Sequence, residues 1–272
     1  AFIHVPPPYC YRCTFGFEYP DCGLACAKAI EDAMKYEGAT IAGVIGELII
    51  GGGGVVVPPD EYWPIVRKAC DKHDVPLIID EIITAFGRTG KMFACEHWGI
   101  APDVMTIAKA LGACYIPVSA VLTTEKIAKG VEDLQCFLYN TYCYHPVSCA
   151  AALATIRVLI EDKIVERAAR LGEYMKKGLA SIVEEFDVLD DLRGKGLYFG
   201  FEIVKSKRTK EPEPDLATKI ADAAFKNGLL LNVSKLRMKD GVIGTICPPL
   251  VITEEQIDKG LEILRSAVKE SI

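Results

Sequence analysis

The chain has 272 residues, of which half are hydrophobic and a quarter are charged, as in ordinary globular proteins. Its formal net charge is -6 and it contains no long basic run, which argues against a nucleic-acid partner. No apolar stretch approaches the roughly 20 residues that cross a bilayer, and no signal peptide precedes the first elements. We therefore expect neither a membrane span nor export.

The cysteines, eleven in all, are scattered along the chain, a distribution typical of reduced thiols in a cytoplasmic protein. Four of them, Cys10, Cys13, Cys22 and Cys26, form the pattern C-x2-C-x8-C-x3-C. The pattern leaves two alternatives, a zinc or iron–sulfur site and a set of buried or incidental thiols. The short central spacing and the helix predicted over 22–36 favour thiols, so we predict no metal.

β-rich and helical patterns alternate over the first part of the chain. Apolar runs predict strands at 40–50, 75–79, 104–108 and 118–123, and the amphipathic run 60–73 predicts a helix. The strands lack polar alternation, as expected when helices cover both faces of a sheet. This order predicts an α/β fold around a mainly parallel sheet.

The second part of the chain has a different order of elements. A long helical stretch runs over 145–186, with Gly172 as the expected break. Next come a strand pair or bent strand, a helix, two strands and a closing helix, at 192–204, 214–227, 229–233, 242–247 and 253–270. We predict a large domain at 1–165 and a small α+β domain at 166–272.

Charged residues directly follow two of the predicted buried strands. Asp80 and Glu81 come after one strand, and Lys109 comes after another. Side chains at the carboxyl ends of strands in an open α/β sheet are placed to bind ligands. The acidic pair could bind a metal, act as acid and base, or hold a cationic ring. Burial of Lys109 would favour its neutral, nucleophilic amine, the form that a Schiff-base lysine needs.

Several segments resemble class III pyridoxal-phosphate (PLP) aminotransferases, which have fold type I. They read DEIITAFGRTGKMF from Asp80, EHWGIAPDVMTIAK up to Lys109, TYCYHPVSCAAA from Thr141, and PPLVIT from Pro248. The Asp80-to-Lys109 spacing (109 − 80 = 29) also matches that family. The resemblance covers essentially the whole chain. It implies a seven-stranded type of large-domain sheet, present here in part, and a small C-terminal domain.

The resemblance also implies roles for individual residues. Lys109 would form the internal aldimine with PLP and then move the substrate proton, and Asp80 would pair with the pyridine nitrogen of the cofactor. Ile82 would pack under the ring, and Ile83 would lie near its hydroxyl. Thr141 would donate to the PLP phosphate of a neighbouring subunit, which implies a homodimer. Glu47 matches an active-site glutamate of the family.

Some positions depart from the family pattern. Ala85, Ala110 and Tyr144 replace usual glycines, and Leu48 replaces a common proline. If position 85 needs a positive φ, alanine there costs about 1 kcal/mol. None of these changes removes a reacting group.

The family's N-terminal portion, with its phosphate-binding loop and ring-stacking aromatic, has no counterpart in these residues. The run Gly51 to Gly54 cannot replace the loop, because VVVPP follows it instead of a helix start. We interpret it as a turn near the pocket. We therefore expect that the N-terminal portion is either a separate chain or missing from this one by truncation.

The residues that would select the substrate are also unusual. Thr245 stands where relatives that act on α-amino acids carry an arginine, and the mobile arginine of many relatives would fall near Asn232. Lys235 and Arg237 are nearby substitutes. We expect transfer of an amino group from an omega-amino acid, taurine or another amine to a keto acid such as pyruvate. Two alternatives stay open: another class III reaction (aminomutase, racemase or decarboxylase), and a non-catalytic remnant acting as a binding or assembly subunit.

Overall fold

The computed structural model describes residues 2–135, 140–235 and 241–272. Contacts within the chain group these residues into two compact units. Unit 1 comprises residues 1–48, 58–86 and 92–163, and unit 2 comprises 49–57, 87–91 and 164–272. Two short segments that follow strands of unit 1 thus pack with unit 2. The continuous division at 165/166 stays a prediction.

Unit 1 contains a four-stranded sheet in the order β1-β2-β3-β4. Its strands are β1 (Val44–Gly46), β2 (Leu77–Asp80), β3 (Val104–Ile107) and β4 (Ala120–Thr123). The first three are parallel, and β4 pairs antiparallel with β3. A mainly parallel α/β sheet was predicted and is confirmed. The antiparallel β4 was not predicted, and it follows from the β3–β4 connection, which has only a short 3-10 helix (Lys109–Gly112) instead of a crossover helix.

The helices of unit 1 are α1 (Ala25–Glu37), α2 (Tyr62–His73), α3 (Glu125–Asp133) and α4 (Pro146–Glu161). Helices α1 and α2 pack on one another, and α2 joins β1 to the parallel β2. At the other end of the strands, the Asp103 carboxylate accepts hydrogen bonds from the Leu77 amide (2.8 Å) and the Arg67 guanidinium (2.7 Å). This one side chain therefore ties the starts of β2 and β3 to α2.

Unit 2 contains a wholly antiparallel sheet in the order β5-β6-β8-β7. Its strands are β5 (Leu189–Lys195), β6 (Tyr198–Ile203), β7 (Asn232–Lys235) and β8 (Val242–Ile246), and its helices are α5 (Ile164–Glu185), α6 (Pro214–Lys226) and α7 (Glu254–Ser271). Every residue of β6 is buried, and its phenylalanines Phe199 and Phe201 lie in a core shared with α5, α6 and α7. The strand pair predicted over 192–204 is confirmed as a hairpin.

The prediction of a helix break at Gly172 is wrong. The break falls at 162–163, between α4 and α5, and Gly172 lies inside α5. A Cβ at Gly172 would come within 2.3 Å of the carbonyl oxygen of Gly196, so glycine is needed there for close packing. The strand predicted over 40–50 is also much shorter, since only Val44–Gly46 joins the sheet.

The helices of the described ranges include none that combines the length and the apolar character of a membrane span.

Candidate active site

Three parallel strands of unit 1 end at the same edge of the sheet. Gly46, the last residue of β1, pairs with Ile79, and Asp80, the last residue of β2, pairs with Thr106 of β3. Glu47 therefore follows the end of β1, and Lys109 lies two residues beyond the end of β3. The sheet thus brings Glu47, Asp80 and Lys109 to its carboxyl edge, where open α/β sheets bind ligands.

Asp80 is half-buried and held in one orientation. Its Oδ1 accepts hydrogen bonds from the Thr106 hydroxyl (2.9 Å) and from the Ile82 amide (3.0 Å). The two donors come from the neighbouring strand and from the turn after β2, so they fix the carboxylate on both sides. The oriented carboxylate is placed to pair with a cation at the edge of the sheet.

Glu81, the other half of the predicted acidic pair, faces a different environment. Its side chain is fully buried and accepts hydrogen bonds from the Thr84 hydroxyl (2.7 Å) and from the amides of Ala94 and Cys95 (both 2.9 Å). These contacts hold the first turn of a 3-10 helix, Ala94–His97. The structure therefore separates the pair: Glu81 is a structural carboxylate and Asp80 is the one at the sheet edge.

Lys109 begins the 3-10 helix that follows β3 and has a left-handed backbone conformation, with φ of 42°. Helix α4 packs against this short helix. The Lys109 side chain is exposed, so the burial predicted for it is wrong in this chain. The reason is that the chain leaves the sheet before Lys109, since β3 ends at Ile107. Its amine is accessible to a ligand in solution.

Glu47 is half-buried, and the backbone on either side of it contacts Trp63 of α2. The Trp63 indole Nε1 donates to the carbonyl oxygen of Leu48 at 3.1 Å. A Cβ at Gly46 would lie 2.9 Å from the Trp63 ring. Trp63 therefore holds the end of β1 in place around Glu47.

Ile82 and Ile83 are both half-buried in the turn that follows Asp80. Ala85, for which a positive φ was considered, does not adopt one. The left-handed residue is its neighbour Phe86, with φ of 62°. The conditional cost of alanine at position 85 therefore does not arise.

Thr141 is exposed and lies in a turn before α4. Within the described residues, no β-ladder pairing or hydrogen bond links the Thr141 side chain to the sheet edge formed by Glu47, Asp80 and Lys109. In the same turn, Tyr144, which replaces a usual glycine, has φ of 58°. This is a conformation that a bulky residue adopts only with strain.

Two residues that hold this edge, Thr106 and Trp63, were not predicted from the sequence. A signal existed for Thr106, because a polar residue within the apolar run VMTIA is unexpected in a buried strand. Its partner could not be read from the sequence, since strand register depends on tertiary packing.

The cysteines Cys10, Cys13, Cys22 and Cys26 line one cavity of about 20 Å³ in unit 1, together with prolines and aromatic residues. Burial is the largest cause that raises the pKa of the Cys26 thiol. Within the described ranges, no three His, Cys, Asp or Glu side chains are grouped so that they could hold a metal ion.

In unit 2, the two positions predicted to affect substrate choice are direct neighbours. Asn232 of β7 pairs with Thr245 of β8 in the antiparallel ladder. Lys235 pairs with Val242 in the same ladder, and Arg237 lies outside the described residues. Neither Asn232 nor Thr245 has a cationic side chain, whereas Lys235 of the same strand does.

The fold and the edge residues define a class of protein. A mainly parallel sheet presents an oriented carboxylate at the end of one strand and an accessible lysine after the next, an arrangement suited to a cofactor with a cationic ring and a reactive carbonyl. The sequence profile of the family "Aminotransferase class-III" matches residues 2–268. The chain belongs to this family, whose members are PLP-dependent.

Curated relatives include enzymes with different named reactions. The chain is 38% identical to a leucine/methionine racemase of Thermococcus litoralis over 98% of its length. It is 34% identical to a taurine–pyruvate aminotransferase of Bilophila wadsworthia over 95%, and 35% identical to a putrescine–pyruvate aminotransferase of Pseudomonas aeruginosa over 100%. In each case the chain spans 59% of the relative's own length.

Solved structures of transaminases share the fold. An amine transaminase from an uncultivated Pseudomonas species, described in its PLP-bound form, matches with a TM-score of 0.91 and 33% identity. That match covers 98% of this chain and 61% of the transaminase. A thermostable (S)-enantioselective omega-transaminase from Thermomicrobium roseum matches with a TM-score of 0.90 and 34% identity, over 100% of this chain and 60% of its own. The chain therefore has the α/β architecture of fold type I PLP transaminases.

Proposed function

We propose that this chain provides the lysine-bearing part of a PLP-dependent aminotransferase. The observation that carries the proposal is that Asp80 ends β2 and Lys109 follows the adjacent parallel strand β3, at one edge of the sheet, in a chain of the class III family. The residues present fit the cofactor: Asp80 offers an oriented carboxylate for a cationic ring nitrogen, and Lys109 offers an accessible amine for an aldehyde.

Each residue of the edge has a distinct task in this proposal. When bound, PLP supplies an electron sink that lets a bond at the amine-bearing carbon of the substrate break. Lys109 holds the cofactor through its amine and afterwards carries the proton at its Nζ. Asp80 binds the ring nitrogen through its carboxylate and keeps that nitrogen protonated, because the opposite charge stabilises the cationic form.

Other residues would complete the site. Ile82 would pack under the ring, Ile83 would lie near the ring hydroxyl, and Glu47 would line the cofactor site. Thr141 would donate its hydroxyl to the cofactor phosphate of a second copy of the protein. Its exposure supports this role, because a group that serves a partner subunit must lie at the surface of its own chain. A homodimer is therefore part of the proposal.

The proposed donor is an omega-amino acid or an amine, and the proposed acceptor is a keto acid such as pyruvate. Support comes from the taurine–pyruvate and putrescine–pyruvate relatives, whose named donors lack an α-carboxylate.

Racemisation is a second candidate, favoured by the 38% identity to the leucine/methionine racemase. Both reactions would use Lys109 and Asp80. They differ in their need for an acceptor: amino transfer stops without a keto acid, whereas racemisation of L-leucine or L-methionine proceeds without one. Assays of both amino acids with and without pyruvate would separate the candidates.

The first test is borohydride trapping of PLP on the purified chain. We expect a visible absorbance band on mixing and, after reduction, a covalent adduct mapped to Lys109 by peptide mass spectrometry. A Lys109→Ala variant should lose the adduct. A Lys129→Ala variant, which removes an exposed lysine of α3, should keep it.

A missing adduct would be examined by adding the polypeptide that corresponds to the unmatched part of the Pseudomonas aeruginosa relative. Recovery of the Lys109 adduct would support the proposal. Its continued absence, or an adduct on other lysines only, would refute the proposal and favour a remnant that acts in binding or assembly.

A further inference from the structure

Thr106 contacts the end of β2, where Asp80 lies, through both its side chain and its backbone. It lies opposite Asp80 in the parallel ladder of β2 and β3. Its hydroxyl donates to Asp80 Oδ1 at 2.9 Å, and its carbonyl oxygen accepts from the amide of Glu81 at 3.0 Å. Residues that pair in a ladder point to the same face of the sheet, so this contact follows from the register.

The two hydrogen bonds of the Asp80 carboxylate lead to a defined orientation. Thr106 and the amide of Ile82 both bind Oδ1, and they are the only hydrogen-bond donors to this carboxylate within the described parts of the chain. With Oδ1 fixed from two sides, rotation of the carboxylate is restricted. Oδ2, which accepts no hydrogen bond within the described parts of the chain, is then the oxygen left for a ligand.

The strand that carries Thr106 also leads to Lys109, three residues later. Both groups that would meet the cofactor therefore depend on β3: Lys109 by connection, and Asp80 through the Thr106 hydroxyl. A threonine is suited to this position because its branched side chain packs in a half-buried strand while its hydroxyl donates to a neighbour.

We infer that Thr106 is a positioning residue for the cofactor ring, because it directs Asp80 Oδ2 toward the ring nitrogen. This inference rests on the proposed function, since it assigns Asp80 to that nitrogen. Thr106 itself does not touch the cofactor. The Thr106 hydroxyl should therefore strengthen the binding only of a ligand whose ring has a nitrogen that Asp80 can bind.

The test compares two ligands on matched variants. The ligands are PLP and its deaza analogue, in which carbon replaces the ring nitrogen, and the measurement is the equilibrium dissociation constant by titration of the chain. In Thr106→Val, which keeps the shape and removes the hydroxyl, we expect PLP to bind about tenfold more weakly, as for loss of one hydrogen bond to a charged group. The dissociation constant of the analogue from Thr106→Val should lie within about twofold of its value for the parent chain.

Two further variants are controls for this comparison. Thr106→Ser keeps the hydroxyl and should bind both ligands within about twofold of the parent. Thr123→Val removes a threonine hydroxyl from β4 of the same sheet, where it donates to the carbonyl oxygen of Asp103, and should change neither ligand's affinity. Circular dichroism of each variant checks that the fold is kept.

The outcomes separate this inference from the proposed function. If Thr106→Val weakens both ligands equally, its role is structural and the inference is wrong. If Asp80→Asn weakens PLP selectively but Thr106→Val does not, the inference alone fails. If Asp80→Asn does not discriminate between the two ligands, Asp80 does not bind the ring nitrogen, and the proposed function and the inference fail together.

A second measurement needs no cofactor. Hydrogen exchange of the Ile82 amide reports whether Asp80 Oδ1 stays in place, since that amide donates to it. We expect exchange to accelerate about tenfold in Thr106→Val and to stay unchanged in Thr106→Ser, on the scale of one lost hydrogen bond. Equal exchange in the parent and Thr106→Val would overturn the inference.

Discussion

Trp63 and Leu48 are joined by a hydrogen bond from the indole Nε1 to the Leu48 carbonyl oxygen, 3.1 Å long and buried. The same indole ring lies against Gly46, where an added Cβ would be 2.9 Å from Cη2. Helix α2 can approach the end of β1 this closely only because residue 46 has no side chain. The backbone on both sides of Glu47 is thereby fixed by one aromatic residue.

Gly46→Ala should therefore destabilise unit 1 by about 1–3 kcal/mol, the usual cost of overpacking. Trp63→Phe removes Cη2, so the double variant should be less destabilised than the sum of the two single changes. Urea unfolding followed by circular dichroism would measure this. Gly130→Ala, in α3 with no atom within 4 Å of the added Cβ, is the control and should be neutral or slightly stabilising. A Gly46→Ala variant as stable as that control would contradict the packing argument.

Glu81→Gln should destabilise unit 1 by about 3 kcal/mol. The fully buried carboxylate accepts three hydrogen bonds, two of them from backbone amides. A glutamine amide must turn its NH2 group toward at least one donor, which leaves buried polar groups unsatisfied. Denaturant titration of the variant checks the value.

The control for Glu81→Gln is Glu96→Gln. The Glu96 side chain accepts from the amide of Phe93 at an exposed position of the same turn, so its change should cost less than about 1 kcal/mol. Equal losses in the two variants would show that burial does not decide the cost.

The sequence predicted the edge of the sheet better than it predicted the contacts there. Apolar runs without alternation indicate buried parallel strands, and parallel strands place their carboxyl ends together, so Asp80 and Lys109 could be assigned to one edge. The separation of Asp80 from Glu81 could not be predicted, because it depends on where the amides of Ala94 and Cys95 lie. Those amides come from a later segment of the chain.

Other differences also come from tertiary contacts. Gly172 has the composition signal of a helix break, yet it lies inside α5, where the Gly196 carbonyl packs too close for any other residue. The antiparallel direction of β4 depends on a connection too short to hold a crossover helix. Segments 49–57 and 87–91 join unit 2 through contacts such as the one from Arg88 to the carbonyl oxygens of Leu197 and Pro248. None of these contacts produces a recognisable pattern in the local sequence.

Asp103→Asn should reduce the free energy of unfolding at neutral pH by about 1–3 kcal/mol. The variant should also lose less stability in acid than the parent. Burial alone would raise the pKa of Asp103, but the Leu77 amide and the Arg67 guanidinium outweigh it and lower the pKa. An aspartate whose pKa is lower in the folded than in the unfolded state stabilises the fold. This stability is present at pH values above the unfolded-state pKa, near 3.9, and is lost as the pH falls through the folded-state pKa. Unfolding measured between about pH 2 and 7 should show this acid slope in the parent and less of it in the variant.

The matched control is Asp74→Asn. Asp74 forms an exposed pair with Lys126 at 2.9 Å, which solvent screens, so the pair contributes little to stability. This variant should keep the acid slope of the parent. If the slope is lost in the control, or kept in Asp103→Asn, Asp103 is not its source.

Cys70 and Cys95 should resist alkylation while the fold is intact. Burial raises the pKa of Cys70 to about 11, and burial together with the neighbouring Glu81 raises that of Cys95 to about 12. The thiolate is the reactive form, so at pH 8 only about one Cys95 thiol in ten thousand is reactive even before steric protection. The exposed Cys114 and Cys149 should be alkylated first by iodoacetamide, as followed by peptide mass spectrometry. Glu81→Gln removes the neighbouring charge and also destabilises unit 1, so the ratio of the Cys95 rate to the Cys70 rate should rise. An unchanged ratio would indicate that unfolding alone accelerates both reactions.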